Sequence, residues 1–270
     1  MVGAEVPPGK YHPRLLGLAP PLESIRAGKV YEFLATGRDE VGTLSKLNGV
    51  LNSHHLKLTT AGGYSVPETG SFVWSGFADY SQSEFTAEDT LREIRGLSFV
   101  TFAEASVIDE VVFDRYLFPV TMLGGQRAII VRAEPFIRVE QRLIAAFGTG
   151  GATIMFDEGR HYALEAFAQY LMMLPGAAPE VILNNAIAGL RATGWGVFEV
   201  DVSRLLVDGI ARVSVRDPPF SGVPAARESF FTSGIVCGAL EGIFGAKAAV
   251  QSSTYDEKTR TLRLVLKTIR

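Results

Sequence analysis

Apolar and polar positions alternate along "KVYEFLAT" (Lys29–Thr36), the period of two that predicts a β-strand. The pattern then changes. "DEVGTLSKLNGVLNSH" sets Val41, Leu44, Leu47, Val50 and Leu51 along one face of a helix. "HLKLTTAG" and "GSFVWSGFADY" alternate again as strands, separated by the turn-rich "GGYSVPETG". "TAEDTLREIRGL" opens on Thr86, an N-cap residue type, with Asp89 three positions on and Leu91 and Ile94 in helical period. "LSFVTFAEAS" closes the series as a strand. The order βαββαβ over residues 29–107 predicts a ferredoxin-like sandwich, with two helices on one face of a four-stranded sheet.

Residues 1–28 are a proline-punctuated N-terminal arm, with a short helical turn expected at Pro21–Ala27 and no secretory h-region. Residues 108–125 form a linker containing Pro119 and Gly124-Gly125. Residues 126–270 then read as a second domain. A helix with Phe136, Val139, Leu143 and Phe147 on one face stops at Gly148. Thr153–Phe156 begins as a strand and turns through Asp157-Glu158-Gly159 into a helix reaching Leu174; a third helix has Pro179 near its start and Gly194 past its end. "WGVFEVDVSRLL" and "IARVSVRDPP" pair around Val207-Asp208-Gly209, "AARESFFTSGIVCGALEGIFG" is a helix, and "KAAVQSST" with "TRTLRLVLKT" make a hairpin. The fold class is α+β, the second domain having helices packed on an antiparallel sheet.

Within that last helix Gly234, Gly238 and Gly242 recur every fourth residue and form one bare stripe. Each costs a helix interior about 0.8–1 kcal/mol relative to alanine, so something must lie against them. Three occupants are open: neighbouring backbone in a filled core, an apolar ligand, or a second subunit. Lipid is disfavoured, since the helix carries Glu241 and no apolar run is long enough to span a bilayer.

Composition narrows the function classes. The 270 residues carry 26 Lys+Arg against 29 Asp+Glu, a net charge of −3, so no basic field recruits nucleic acid. At 47% apolar and 20% charged the chain is built to fold around cores. One cysteine, Cys237, excludes an internal disulfide and any CxxC zinc site, and accords with a reducing cytoplasmic setting.

Two resemblances add to this. Tyr31–Leu34 leading into Asp39, Gly42, Leu44 and the helix ending "LNSHHLKL" resembles an ACT domain, the amino-acid-sensing regulatory module. That family usually has D-x-P-G-x-L at the first turn; Asp39-Glu40-Val41-Gly42-Thr43-Leu44 keeps Asp, Gly and Leu and replaces the proline with Val41. The resemblance implies an effector lip at Asp39, Glu40, Val41 and Gly42. The segment Phe230–Leu266 resembles a 4-vinyl-reductase-type (4VR) domain, the module of predicted hydrocarbon-binding proteins, related to NO-signalling haem sensors and Golgi-transport tethering subunits. Gly234, Gly238 and Gly245 occupy its glycine frame, and Gly194 and Arg216-Asp217 also fit. Many members carry cysteines that can hold a metal; this chain has Ser229, Thr254 and Leu262 at those places, which implies that such a metal site is absent.

Aromatic residues gather in the same half. Phe167, Tyr170, Met173, Trp195, Phe198, Phe230 and Phe231 are the candidate walls of an apolar pocket, with Gly234 and Gly238 as its floor. The same residues would equally fill a dry core.

Catalytic chemistry finds little support. No G-x-S-x-G elbow is present, and "GTGGAT" lacks the lysine of a phosphate loop and reads as a helix stop. His54-His55 lies at a helix-to-strand junction without a metal-ligand pattern. No catalytic residue, cofactor or metal is assigned. The reading is a non-catalytic, cytoplasmic, homodimeric regulatory protein that senses a small apolar molecule or lipid in its second domain, with an amino-acid-like effector at the ACT-like turn. One alternative is an enzyme or accessory acting on an apolar or tetrapyrrole-like substrate, using His161, Arg160, Glu165 or Tyr170; another is a structural tethering subunit.

Overall fold

Strand β1 (Val30–Arg38) points Phe33 and Ala35, two residues apart, into one apolar core, as its period requires. The computed structural model describes residues 27–66, 69–108, 127–224 and 226–269. Residues 1–26 of the expected arm, including all but the last residue of its helical turn, lie outside the described residues, as does the join at 109–125. The chain divides into two compact units, Met1–Thr121 and Met122–Arg270.

In the first unit β1 is followed by α1 (Thr43–Ser53), β2 (Lys57–Val66), β3 (Ser71–Asp79), α2 (Ala87–Arg95) and β4 (Val100–Val107). The sheet order is β2-β3-β1-β4 with every neighbour antiparallel, the ferredoxin-like arrangement expected from βαββαβ. Leu47 and Leu51 of α1 and Leu91 and Ile94 of α2 meet Phe33, Trp74 and Ala103 in one core. Thr86 caps α2 in a full capping box: its hydroxyl accepts the Asp89 amide, and the Asp89 carboxylate accepts the Thr86 amide.

Two details depart from the sequence pattern. β2 continues through the supposed turn, with Gly62, Gly63 and Tyr64 opposite Ser75, Trp74 and Val73. The ladder is made by backbone groups, and on an edge strand glycines can supply it. Second, Val41 and Leu44 do not share the buried face of α1. Gly42 takes a left-handed φ of 88°, the helix starts only at Thr43, and both side chains are exposed.

The second unit runs α3 (Ala133–Phe147), α4 (Thr149–Met173), α5 (Pro179–Ala192), β5 (Val197–Asp201), α6 (Leu205–Asp208), β6 (Ile210–Arg216), α7 (Phe230–Phe244), β7 (Ala248–Asp256) and β8 (Thr261–Thr268). Its sheet has the antiparallel order β5-β6-β8-β7, with Val213 opposite Leu264 and Val215 opposite Leu262. α7 is buried at every position from Thr232 to Leu240, as an apolar helix must be. Val236, Cys237 and Leu240 pack with the sheet; Ile235, Ala239 and Ile243 pack with Ala163, Phe167 and Ile182 of α4 and α5.

The expected strand at Thr153–Phe156 is helix. α4 begins directly after Gly148 and runs 25 residues, about 37 Å at 1.5 Å per residue. Gly151 there abuts the Leu143 carbonyl of α3, and the packing of α4 on α7 overrides the β-branched local preference. α3 is also turned relative to the expected stripe: Ile137 and Glu140 are buried while Val139 and Phe147 are exposed.

Candidate functional site

The glycine stripe of α7 faces the backbone of α4. A Cβ added to Gly234 would collide with the Phe156 carbonyl, and one added to Gly238 with the Arg160 carbonyl; reciprocally, Gly159 of α4 abuts the Phe231 carbonyl. The absent side chains let two helices approach backbone to backbone. Gly234 and Gly238 therefore do not floor a cavity. Arg160 and Glu241 close the same seam, Nε to Oε2 at 2.7 Å and Nη2 to Oε1 at 2.6 Å, a two-pronged ion pair largely shielded from solvent.

A cavity lies along an adjoining face of α4, with Phe167 shared between it and the packing on α7. It has a volume of about 470 Å³, within the range of small-molecule sites, and is bounded by α4, α5 and the segment Arg127–Ile129. Along α4, Tyr162, Glu165, Ala166, Gln169, Tyr170 and Met173 recur at helical spacing and form one wall. Ala186, Gly189, Leu190 and Thr193 of α5 form the opposite wall, and Phe167 is buried at the base. The Tyr170 hydroxyl presses on the Cα of Gly189 where any Cβ would block it, so the glycine sets how far the ring reaches across. Burial first, and then the neighbouring Tyr162, hold that hydroxyl above the ordinary tyrosine range, so it is a neutral donor at physiological pH.

Of the nine predicted pocket residues the structure brings Phe167, Tyr170 and Met173 to this cavity. Trp195 and Phe231 instead stack on one another at 5.4 Å, with Phe136 edge-on to both at 6.0 and 5.1 Å. Tyr162 joins this cluster, 6.2 Å from Trp195 and 5.9 Å from Phe231, and so belongs to cavity and cluster alike. Phe198 lies on β5 with its side chain buried in the core, and Phe230 opens α7 without lining the cavity.

Glu140 escaped the sequence reading. This residue of α3 is 2% exposed, and its Oε1 accepts the amides of Phe230 at 2.5 Å and Phe231 at 3.1 Å. The carboxylate thus caps the N-terminus of α7, where the helix dipole favours negative charge. Its Oε2 is buried without a hydrogen-bond partner. Burial raises the carboxyl above the ordinary glutamate range; the Phe231 amide, the Ser229 hydroxyl and the Phe230 amide pull the other way, and Glu228 adds to the rise. A carboxylate three residues after Ile137 on an apolar stripe is the signal that could have found it.

The remaining candidates disperse. Glu165 lines the cavity, His161 is exposed on α4, and Arg160 is held by Glu241. Cys237 is fully buried, and burial pushes its thiol up to about 12. Ser229 caps α7 by accepting the Thr232 amide, Thr254 is exposed and Leu262 is buried in the core. Among the described residues no group of three metal-ligating side chains occurs, and no helix is long and apolar enough to cross a membrane. In the first unit Asp39, Glu40, Val41 and Gly42 form an exposed turn. Its Glu40 carbonyl accepts both the amide and the hydroxyl of Thr43, and Arg38 pairs with Glu40 at 3.3 Å. His54 is buried, bonded to Thr90 at 2.7 Å and Glu93 at 2.8 Å and stacked on Phe85, whereas His55 is exposed.

No protein-family model and no curated protein matches the chain. Solved structures similar to it include the phenol-responsive sensory domain of the transcription activator PoxR with phenol, at 15% identity over 54% of this chain and 79% of that one, with a TM-score of 0.46. The ACT domain from a GTP pyrophosphokinase of Chlorobium tepidum is matched at 15% identity over 28% of this chain and 96% of that one, with a TM-score of 0.25. A formyltetrahydrofolate deformylase from Pseudomonas syringae pv. tomato is matched at 18% identity over 28% of this chain, with a TM-score of 0.26; the match spans 26% of the deformylase.

Proposed function

We propose that this chain is a non-catalytic regulatory protein that binds a small, largely apolar ligand in the cavity between α4 and α5. The observation that carries the reading is the cavity's composition. Phe167, Ala186 and Leu190 supply an apolar floor and the half-exposed Met173 an apolar rim, while the Tyr170 hydroxyl, Gln169 and Thr193 supply a few polar groups of the kind that orient a ligand. The volume of about 470 Å³ is ample for a molecule of one or a few rings, since about 150 Å³ already holds benzene. The resemblance of Phe230–Leu266, with Gly234, Gly238 and Gly245, to hydrocarbon-binding modules accords with the same reading.

Dissociation of the enzyme candidates supports a binding role over catalysis. Arg160 is engaged by Glu241 and His161 faces solvent, so of the four polar candidates Glu165 and Tyr170 remain at the cavity. The ACT-like first unit, an amino-acid-like effector at its exposed Asp39–Gly42 turn, and homodimerisation in the cytoplasm complete the proposal.

Titration of toluene and phenol against the full chain, followed by Trp195 emission in a Trp74→Phe background, tests it. Saturable binding by wild type and its loss in Ala166→Phe, which fills the cavity, are the expected results. A response that survives Ala166→Phe unchanged would place the ligand elsewhere and overturn the reading.

A further inference from the structure

The cavity's third wall, Arg127–Ile129, belongs to a segment with little packing of its own. Arg127 makes an interaction, but Ile129, Ile130 and Val131 are 83, 60 and 62% exposed. The segment passes directly into α3, which starts at Ala133. The C-terminal half of α3 is held on α4, where Leu143 meets Gly151; in its N-terminal half Ile137 and Glu140 are the buried residues, Phe136 packs on the aromatic cluster and Val139 faces outward. The directional contact among these is Glu140, whose Oε1 takes two amides at the start of α7.

We propose that Glu140 is a positioning residue for the ligand cavity: by seating α3 on the N-terminus of α7 it holds the wall Arg127–Ile129 in place. The inference rests on the cavity reading above and extends it to a regulatory contact. The link runs in both directions, because coupling between two sites is reciprocal. A ligand touching Tyr162 presses on Phe231, whose amide is one of the two that Glu140 accepts. A ligand that requires the wall thereby favours the seated α3, and loss of the seat lowers ligand affinity. The unpartnered Oε2 keeps the seat releasable, since half of the buried carboxylate lacks the hydrogen bonds that would offset its desolvation.

The test uses the full chain, toluene as the probe, and hydrogen exchange of the amides of residues 128–132 as a ligand-independent readout. Glu140→Ala removes the acceptor and Glu140→Gln retains one acceptor oxygen. Phe230→Pro removes the nearer donor at a helix position where proline is well tolerated, and Phe230→Ala is its control because it loses the ring and keeps the amide. The expected result is a loss of toluene affinity of at least about tenfold in Glu140→Ala and Phe230→Pro, with Phe230→Ala and Glu140→Gln within about threefold of wild type. Exchange at residues 128–132 speeds in the same two variants. If Glu140→Ala does not fold, the proline–alanine pair at position 230 decides. Equal affinity and equal exchange in that pair overturn the positioning role while leaving the cavity reading intact. Absence of toluene binding in wild type removes the cavity reading, and the exchange comparison then still accepts or rejects the role of Glu140.

Discussion

Gly238 of α7 lies so close to the Arg160 carbonyl of α4 that no Cβ fits between them. Two opposing terms meet at this position. Alanine would gain roughly 1 kcal/mol of helix propensity, and overpacking against an immovable backbone costs typically about 1–3 kcal/mol. Gly238→Ala is therefore expected to be net destabilising in urea unfolding, and Gly238→Leu more so. Gly242, on the same stripe, has only ordinary contacts with Leu164 and Phe167 at 3.5 and 3.9 Å. Gly242→Ala should stabilise by up to about 1 kcal/mol. The same sign in both alanine variants would contradict the packing described.

Glu140 makes a prediction about pH. Its carboxyl is raised in the folded state, so protonation favours the fold. Its stabilising contribution is fully present below the ordinary glutamate range and is lost as pH rises through the raised value. The stability of wild type relative to Glu140→Gln should thus improve on acidification from neutrality, read from parallel urea titrations at several pH values. A difference that does not vary with pH would contradict it.

Arg160 and Glu241 join α4 to α7 across a part-buried seam. Glu241→Ala leaves the guanidinium without its carboxylate and is expected to cost about 1.5–3 kcal/mol, the range for hydrogen bonds to charged groups. Double-mutant cycles with Arg160→Met check it; additivity of the two single changes would remove the pair's role.

Cys237 should be inert in the native protein. Its thiol is fully buried and held up at about 12, so iodoacetamide at mildly alkaline pH is expected to label it only after unfolding. Mass spectrometry before and after denaturant reads this directly.

The sequence made the first unit largely legible because its elements obey local rules. Phe33 and Ala35 alternate, Thr86 and Asp89 form a capping box, and Leu91 and Ile94 follow helical period. The second unit was less legible where long-range packing overrode local preference. Thr153–Phe156 has strand composition, yet Gly151 and Gly159 fit it as helix against α3 and α7. The candidate pocket suffered from the same limit. Tyr170, Phe167 and Met173 share the α4 face that lines the cavity, whereas Trp195, Phe198 and Phe231 are equally aromatic and belong to core and cluster. Composition cannot separate a ring that lines space from one that fills it. The stripe Gly234–Gly238 signalled a close approach correctly in kind, but the approaching group is the α4 backbone.

The proposed binding requires an accessible apolar space between α4 and α5. A crystal of the full chain held under xenon pressure tests it most directly, because xenon enters apolar cavities without needing a specific polar partner. Xenon density is expected in contact with Phe167, Tyr170, Met173 and Leu190, and is expected to disappear in Ala166→Phe. Side chains from these helices meeting across that space, with no xenon among them, would contradict it.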